Sequence, residues 1–331
     1  MASEISIASA SRETNRFLWD LMNKIIIHEV GPRDGLQAEK TTVPLTEKMR
    51  WIEGVCTSGI DIIQLGSFVN PEKVPQMADT DALFQHFNKN KPAGVTLSGL
   101  VLNEKGLERG LACGVDMFCM GVSASETHSR KNTGMTSTEA LGRIIPMARQ
   151  AMTAGKNVQV SVQSAFGCGY EGPVNREKVL SIVKAYLEAG IHNISLADTA
   201  GHAQPLQVED LFGSIRALDP SVILACHFHN TYGLGLANCY EALKSGVTFF
   251  ESAFGGLGGC PFTKLPAGNV STEDLVHSFQ RMGLRKDIKL DVLLKVARQV
   301  EKYFDRDLPG FILKSGSIVD FVGESGLGEG S

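Results

Sequence analysis

Short runs of β-branched, aromatic and other apolar residues recur along the chain, and each is bounded by polar, glycine or proline residues. Runs of this length and composition predict β-strands. The predicted strands are KIIIHEV (24–30), DIIQLG (61–66), GVTLSGLV (94–101), VDMFCMGV (115–122), NVQVSVQSA (157–165), HNISLA (192–197), VILACHFH (222–229) and FFESA (249–253).

Stretches with apolar residues at helical spacing alternate with these runs, and several of them end in glycine, a common stop signal for a helix. The helices predicted in this way cover residues 44–59, 103–114, 137–155, 175–190, 206–219, 236–246 and 272–283. Eight strands that alternate with helices over about 250 residues predict an α/β fold of the (β/α)8 TIM-barrel type. An open, doubly wound sheet is the alternative, but no G-x-G-x-x-G motif follows the first strand.

The same pattern divides the chain into one large domain with shorter flanking segments. The TIM-barrel domain is predicted to span residues 24–285, followed over 286–322 by a helical extension that packs outside or over the barrel. Residues 1–23 are expected to form a flexible leader, without the apolar core of a secretory signal, and residues 323–331 a disordered tail.

Composition narrows the classes of function. The chain has 331 residues and a net charge of -4, which gives no electrostatic basis for binding nucleic acid or an anionic membrane. No apolar run approaches the roughly 20 residues that span a bilayer. Seven cysteines without a C-x-x-C pair argue against a disulfide framework and against a zinc–thiolate site. We therefore expect a cytoplasmic protein with reduced, mostly buried cysteines and a small-molecule partner.

Polar side chains that follow the strands are the candidates for chemistry, because a TIM barrel places its active site at the carboxyl ends of its strands. His227 and His229 are two residues apart on one predicted strand, so their side chains point to the same face. With Asp34 and the carbonyl oxygen of Asn269 they form a set of two nitrogen and two oxygen ligands. Such a set suits Mg²⁺ or Mn²⁺ and admits Co²⁺ or Zn²⁺. A histidine on a strand can instead be a hydrogen-bonded core residue.

Three further positions each have a catalytic and a structural interpretation. Arg33 presents a fork of donors that suits a carboxylate or a developing enolate oxygen, or it forms a purely structural pair with Asp34. Asp198 either accepts a proton or orients a histidine, or it caps its strand by bonding backbone amides. Cys260 follows four glycines in FGGLGGCPF (254–262). It is either a reactive thiol on a flexible loop or a buried cysteine beside a glycine-rich turn.

Six segments of the chain resemble the 3-hydroxy-3-methylglutaryl-CoA lyase family, metal-dependent TIM-barrel enzymes related to isopropylmalate and homocitrate synthases. They occur in family order and spacing between about residue 24 and residue 305, and GLGGCP is specific to the lyase branch. The segments are GPRDGLQ (31–37), SFVNPEKVPQM (67–77), SLADTAG (195–201), HFHNTYG (227–233), GLGGCPF (256–262) and AGN (267–269).

The resemblance implies cleavage of a 3-hydroxy-3-substituted-glutaryl-CoA into acetyl-CoA and a 3-keto acid. An alkoxide would collapse to a ketone and expel a thioester enolate, which a cation must hold and an acid must protonate. The implied roles are metal binding for Asp34, His227, His229 and Asn269, enolate stabilisation for Arg33, proton transfer for His227 and Asp198, and protonation from a mobile loop for Cys260.

The same resemblance implies a CoA site and a homodimer. Lys131 and Asn132 lie in ASETHSRKN (124–132), which is similar to the family segment near the CoA moiety, and Gln37 is assigned to the same site. A basic, solvated loop without a ligand is the alternative interpretation of this segment.

One position departs from the family pattern. The family has Ile-Glu at the end of strand two, with the glutamate in the catalytic set, whereas this chain has Ile63-Gln64 followed by Leu65-Gly66. Glutamine keeps the shape of glutamate but loses its charge, a change worth several kcal/mol in a low-dielectric pocket. Gln64 is therefore kept as a catalytic candidate. A related lyase with a larger or differently charged acyl-CoA stays open, its pocket reshaped by the Leu65-Gly66 pair.

Two other functions are open alternatives. A Claisen-condensing synthase of the isopropylmalate or homocitrate type usually carries a long C-terminal regulatory domain, but only about 45 residues follow the predicted barrel. An inactive barrel that serves as a binding or scaffold protein would explain Gln64, but not the retained metal ligands and Cys260.

Overall fold

Eight parallel strands close into a barrel in this computed structural model, which describes residues 25–259 and 268–318. Each strand pairs with the next one in sequence, and the last strand closes the ring by pairing with the first. The strands are β1 (Ile26–Glu29), β2 (Ile62–Ser67), β3 (Thr96–Leu100), β4 (Met117–Ser123), β5 (Asn157–Gln163), β6 (Asn193–Asp198), β7 (Ile223–Phe228) and β8 (Phe249–Ser252). The TIM-barrel prediction is confirmed, and all eight predicted runs form strands.

Helices connect the strands and extend the chain beyond the barrel. They are α1 (Leu45–Ser58), α2 (Thr80–Asn90), α3 (Glu104–Ala112), α4 (Glu126–Thr133), α5 (Ser137–Thr153), α6 (Arg176–Glu188), α7 (Pro205–Leu218), α8 (Gly235–Lys244), α9 (Thr272–Arg281), α10 (Leu290–Phe304) and α11 (Phe311–Ser315). The predicted set lacks α2 and α4. The sequence of α4 gives no apolar periodicity to detect, because Ser129 is its one buried residue. Among the residues described, no helix combines the length and the apolar character needed to cross a membrane.

The C-terminal extension packs on the outside of the barrel, as predicted. Helix α10 lies so close to α1 that a Cβ atom at Gly54 would come within 2.5 Å of Val296 Cγ2. Trp51 of α1 packs edge-on against Tyr303, with ring centroids 5.4 Å apart, and against Phe254, with centroids 6.4 Å apart. The extension therefore supports the segment that follows β8, although the domain boundaries themselves stay a prediction.

The interior of the barrel changes from apolar to polar along its axis. Ile62 and Met117 are buried near the amino-terminal end, with Ile26 and Phe249 packed against them. Above them lies a layer of buried polar side chains, which are His28, Gln64, Ser98, Gln159, Ser195 and Glu251. TIM-barrel interiors are usually filled by bulky branched residues. This polar layer therefore forms the floor of a site rather than an ordinary core.

The cysteines within the described ranges are free, and all of them except the partly buried Cys113 are buried. Burial raises the pKa of both Cys56 and Cys119 to about 12, which keeps these thiols protonated. The expectation that most of the cysteines are buried is confirmed for these residues.

Candidate active site

A cavity of about 200 Å³ lies at the carboxyl ends of the strands, above the polar layer. This is where a TIM barrel builds its active site. Predicted site residues that line it are Arg33, Asp34, Gln37, Gln64, Asn132 and His227. Residues from the turn after β1, from β2, from α4 and from β7 thus meet at one cavity, although they are far apart in sequence.

The predicted metal ligands converge at one edge of this cavity. The Nε2 atoms of His227 and His229 are 3.1 Å apart. Asp34 Oδ2 lies 3.8 Å from His227 Nε2 and 4.0 Å from His229 Nε2. Asn269 completes the group, because its Nδ2 donates a hydrogen bond of 2.8 Å to Asp34 Oδ2. The carboxylate and the two imidazoles lie close enough together to share one cation.

Hydrogen bonding around these ligands fits a divalent cation. His227 Nδ1 contacts Glu251 Oε2 at 2.9 Å, which leaves the other ring nitrogen, Nε2, to bind a cation. Asn269 Oδ1 is buried and has no hydrogen-bond partner within the described ranges. A buried carbonyl oxygen without a partner is costly unless a ligand satisfies it. The predicted donor set is therefore assembled in a form that can accept a metal.

Burial and neighbouring charges set the protonation of the cluster. Burial, followed by the charge of His227, lowers the pKa of His229 to about 4, so its ring is neutral at pH 7. Burial opposes ionisation of Asp34, but Arg33 and the two histidines hold the pKa of this carboxyl well below its usual range. For His227, the cost of burial is outweighed by Glu251 and Asp34, which raise its pKa above the ordinary value. An ionised aspartate and a neutral imidazole are the forms that bind metal.

A π-helical turn, Gly31–Gly35, carries Arg33 and Asp34 from the end of β1 into the cavity. Glu29 fixes this turn, because its Oε1 accepts hydrogen bonds from the backbone N–H of Gly31 at 2.7 Å and of Phe254 at 3.0 Å. A Cβ atom at Gly31 would lie 2.5 Å from Glu29 Oε1, so the turn requires glycine there. One buried carboxyl group thus ties the turn to the segment after β8.

Arg33 lies between Asp34 and Gln64. Its Nη1 donates to Asp34 Oδ1 and its Nε donates to Gln64 Oε1. The Arg33–Asp34 pair that the sequence offered as a structural interpretation is therefore present. Both residues also line the cavity, so the pair does not exclude a catalytic role. Gln64 meets Arg33 with a neutral amide oxygen, at the position where a glutamate would form an ion pair.

The described part of the glycine segment is tightly packed. Gly255, Gly256 and Gly258 have φ values of 63°, 73° and 128°, which residues with a side chain rarely adopt. A Cβ atom at Gly258 would lie 2.6 Å from Asn269 Nδ2, so this glycine lets the segment press directly on a candidate metal ligand. Cys260 lies outside the described residues, and both its catalytic role and the mobility of its loop stay predictions.

Asp198, at the end of β6, is not among the residues that line the cavity. Its Oδ1 accepts a hydrogen bond of 2.7 Å from the backbone N–H of His202. Burial raises the pKa of Asp198 to about 7, against the effect of the backbone N–H groups that bond it. The structure thus shows the capping contact that was one of the two interpretations. Proton transfer by Asp198 stays a prediction.

The three residues assigned to the CoA site are placed differently. Gln37 and Asn132 line the cavity, whereas Lys131 is exposed and stacks its Nζ over the ring of Tyr170, 4.7 Å from the ring centroid. Neighbouring residues of α4 therefore contribute to the cavity and to the outer surface.

Leu65 and Gly66 do not line the cavity. Leu65 is buried in the hydrophobic core, and Gly66 packs against α2, where a Cβ atom would lie 2.3 Å from Thr80 Oγ1. The hypothesis that this pair reshapes the pocket directly is therefore wrong. The register between β2 and β3 shifts between Gln64 and Gly66, so the pair lies at a strand irregularity.

Sequence reasoning missed Glu251, Gln159 and Ser195, which all line the cavity. Each of the three is a polar residue on a predicted strand. The other residues of that strand are either mostly apolar or alternate between polar and apolar. The signal that could have revealed Glu251 is a glutamate within FFES (249–252), part of a predicted strand. A carboxylate inside a barrel needs a charged or hydrogen-bonding partner, which points to a site.

Comparisons with known proteins agree with this geometry. The family model described as HMGL-like matches residues 24–300. The chain is 38% identical over 286 residues to hydroxymethylglutaryl-CoA lyase YngG of Bacillus subtilis (strain 168), which covers 86% of this chain and 95% of that protein. It is 34% identical over 305 residues to (R)-citramalyl-CoA lyase of Chloroflexus aurantiacus, covering 90% of this chain and 96% of that protein.

Solved structures agree as well. An HMG-CoA lyase from Acinetobacter baumannii, in complex with coenzyme A and 3-methylmalate, superposes with a TM-score of 0.84 at 36% sequence identity. The superposition covers 90% of this chain and 97% of that chain.

Proposed function

The chain belongs to the HMGL-like family, and from this premise we propose that its cavity cleaves 3-hydroxy-3-methylglutaryl-CoA or a close 3-substituted relative. The protein is a carbon–carbon lyase that acts on an acyl-CoA. Its products are acetyl-CoA and a 3-keto acid, which is acetoacetate for the methyl-substituted substrate.

The family depends on a divalent metal, and the residues that would hold it here are Asp34, His227, His229 and Asn269. A bound divalent ion supplies Lewis acidity, which favours loss of the proton from the C3 hydroxyl. We propose Mg²⁺ or Mn²⁺ as the ion, because a half-oxygen donor set with room for substrate oxygens suits these cations.

Arg33 is the residue that we assign to the developing negative charge. Cleavage breaks the bond between C2 and C3, and the electron pair of that bond moves onto the thioester enolate. A guanidinium that lines the same cavity stabilises this charge without being deprotonated itself. The C3 hydroxyl loses its proton, and C2 gains one when acetyl-CoA forms. Cys260, outside the described residues, is the proposed acid for this last transfer.

One observation carries the proposal. A carboxylate oxygen and two imidazole nitrogens lie within 4.0 Å of one another, beside a guanidinium at the mouth of the barrel. The carboxylate also accepts a hydrogen bond from Asn269, whose own amide oxygen is buried without a hydrogen-bond partner among the described residues. Apolar side chains would stabilise the fold at least as well as this group of buried polar and charged residues. The group is therefore better explained by a function than by folding.

A panel of 3-hydroxyacyl-CoA thioesters, assayed for acetyl-CoA release with Mg²⁺ or Mn²⁺, tests the proposal. We expect release from 3-hydroxy-3-methylglutaryl-CoA or from a thioester that differs at C3. Absence of acetyl-CoA from every thioester in the panel would contradict it.

Gln64 favours a second substrate of the same class. It places a neutral amide beside Arg33 in the cavity, where the family resemblance leads one to expect a carboxylate. Since relatives are named for different acyl groups, including citramalyl-CoA, we propose that Gln64 shifts the preference toward another 3-hydroxyacyl-CoA. The same panel ranks the candidates by kcat/KM.

We further propose that the chain forms a homodimer, which the family resemblance supports. Sedimentation equilibrium measures this directly, and a mass equal to that of one chain across the accessible concentration range would exclude it.

A further inference from the structure

We propose that Glu251 is a positioning residue, which holds His227 in the ring orientation and tautomer that a divalent cation requires. The inference rests on the proposed function, since it concerns the same metal centre. It involves β8, a strand from which no site residue was predicted.

Glu251 and His227 are neighbours across the sheet. They are register partners on β7 and β8, and Glu251 Oε2 lies 2.9 Å from His227 Nδ1. Both residues are buried, with 8% and 7% of their surface exposed. A carboxylate oxygen can only accept a hydrogen bond, so the Nδ1 atom of His227 carries a proton. In the neutral ring, which is the form that binds a cation, Nε2 then keeps its lone pair.

The other oxygen of Glu251 is also engaged. Its Oε1 accepts a hydrogen bond of 3.0 Å from Ser195 Oγ on β6. The carboxylate is therefore held from two strands, and each of its oxygens already accepts a hydrogen bond from the protein. Glu251 consequently acts through His227 rather than on the reacting atoms.

Loss of Glu251 would create a competing arrangement. The Nε2 atoms of His227 and His229 are only 3.1 Å apart. Without an acceptor at Nδ1, the proton of His227 can move to Nε2 and form a hydrogen bond to His229 Nε2. That tautomer occupies both ring nitrogens that the cation needs, so Glu251 keeps the metal site open by fixing the proton elsewhere.

The test is metal binding in the absence of substrate, measured for the full chain with Mn²⁺ by electron paramagnetic resonance. We expect Glu251→Ala to weaken Mn²⁺ binding by about 10- to 100-fold, the usual effect of removing a carboxylate that orients a metal-bound histidine. Glu251→Gln, which retains an acceptor oxygen, should be weakened less. Ser195→Ala should show the smallest change, since it leaves the carboxylate in place.

A second readout distinguishes positioning from a general structural role. Nitrogen-15 spectra of labelled histidines in the metal-free protein should show His227 protonated at Nδ1, and this signature should be lost in Glu251→Ala. Glu273→Gln is the matched control, because Glu273 is also buried and instead accepts hydrogen bonds from Gly255 N–H and Ser271 Oγ. The control should leave both the Mn²⁺ affinity and the His227 spectrum unchanged.

Kinetics complete the test. Saturating Mn²⁺ should restore most of the activity of Glu251→Gln, because the variant is expected to lose affinity for the metal rather than a reacting group. Unchanged Mn²⁺ affinity in Glu251→Ala would overturn the inference, and so would a loss of kcat in Glu251→Gln that persists at saturating metal. If the unmodified chain binds no Mn²⁺, the proposed function fails instead, so the two failures can be told apart.

Discussion

Two sides of the barrel mouth differ in charge and in hydrogen bonding. The side formed by β7, β8 and the turn after β1 carries Asp34, Arg33, His227 and Glu251, linked by ion pairs and hydrogen bonds. The opposite side is formed by β5, where Gln159, Ser161 and Gln163 face the cavity and carry no charge.

We propose that the residues on the charged side perform the chemistry, whereas those on the neutral side select the substrate. Groups on the charged side are fixed by several partners each, as expected for residues that must present one geometry to a metal and a developing charge. On the opposite side Gln159 Nε2 is buried without a hydrogen-bond partner within the described ranges. A donor left unpaired in a cavity wall is suited to a group that arrives with the substrate.

The largest effect should come from the charged side, at the metal. Asp34→Asn removes the one carboxylate among the candidate ligands, and with it the charge that makes the site attractive to a divalent ion. We expect kcat/KM to fall by about a thousandfold or more, since a catalytic metal contributes several kcal/mol and each 1.36 kcal/mol is a factor of ten. Steady-state kinetics with acetyl-CoA detection measures it. The exposed Asp291→Asn serves as the control, and full turnover by Asp34→Asn would remove Asp34 from the site.

Arg33→Lys should have the next largest effect. Lysine keeps the positive charge but not the planar fork that bonds Asp34 and Gln64 together. We expect kcat to fall by about 100-fold, comparable with the loss of one stabilising donor at a developing oxyanion. Arg143→Lys makes the equivalent change at the exposed pair with Glu104 and should leave kcat unaltered. A variant with unchanged kcat and only a raised KM would limit Arg33 to substrate binding.

Gln64→Glu changes the charge at the boundary between the two sides. A carboxylate there would form an ion pair with Arg33 and add one negative charge to the cavity. We expect the ratio of kcat/KM for 3-hydroxy-3-methylglutaryl-CoA to that for the preferred thioester to rise by about tenfold, which corresponds to about 1.4 kcal/mol. Competition assays with both thioesters measure this ratio directly. An unchanged ratio would show that Gln64 does not determine the substrate.

The smallest effect is expected on the neutral side. Gln159→Leu replaces an unpaired donor by an apolar group of similar size, so the free energy of unfolding should change by no more than about 1 kcal/mol in either direction. The preference among thioesters should move toward apolar groups at C3, while Mn²⁺ affinity stays the same. Chemical denaturation and the substrate panel report the two quantities. Weakened Mn²⁺ binding in this variant would contradict the separation of the two sides.

The sequence was sufficient to predict the barrel and the group of candidate metal ligands that lie together in it, for a physical reason. Strand runs and glycine-ended helices are local patterns, and His227 and His229 share a face because strand residues alternate. Asp34 and Asn269 follow strands, so the fold alone brings them to the same end of the barrel. Glu251 could not be assigned in this way, because its role depends on the register between β7 and β8.

Other differences also came from packing rather than from local pattern. Leu65 lies in the core beside a register shift between β2 and β3, and Lys131 lies on the outer surface, where it contacts the ring of Tyr170. The contact of Asp198 with the backbone of the following loop likewise depends on which way the end of β6 turns. The residue type alone does not determine where Leu65, Lys131 or Asp198 lies relative to the cavity.

The most direct test of metal-dependent cleavage is a titration of metal-free protein with Mn²⁺, in which bound metal and acetyl-CoA release are measured on the same samples. We expect no release from the metal-free chain, and a rate that rises in proportion to bound Mn²⁺ up to one ion per chain. Acetyl-CoA and the 3-keto acid should form in equal amounts. Cleavage at the same rate with and without bound metal would show that the reaction does not depend on the metal.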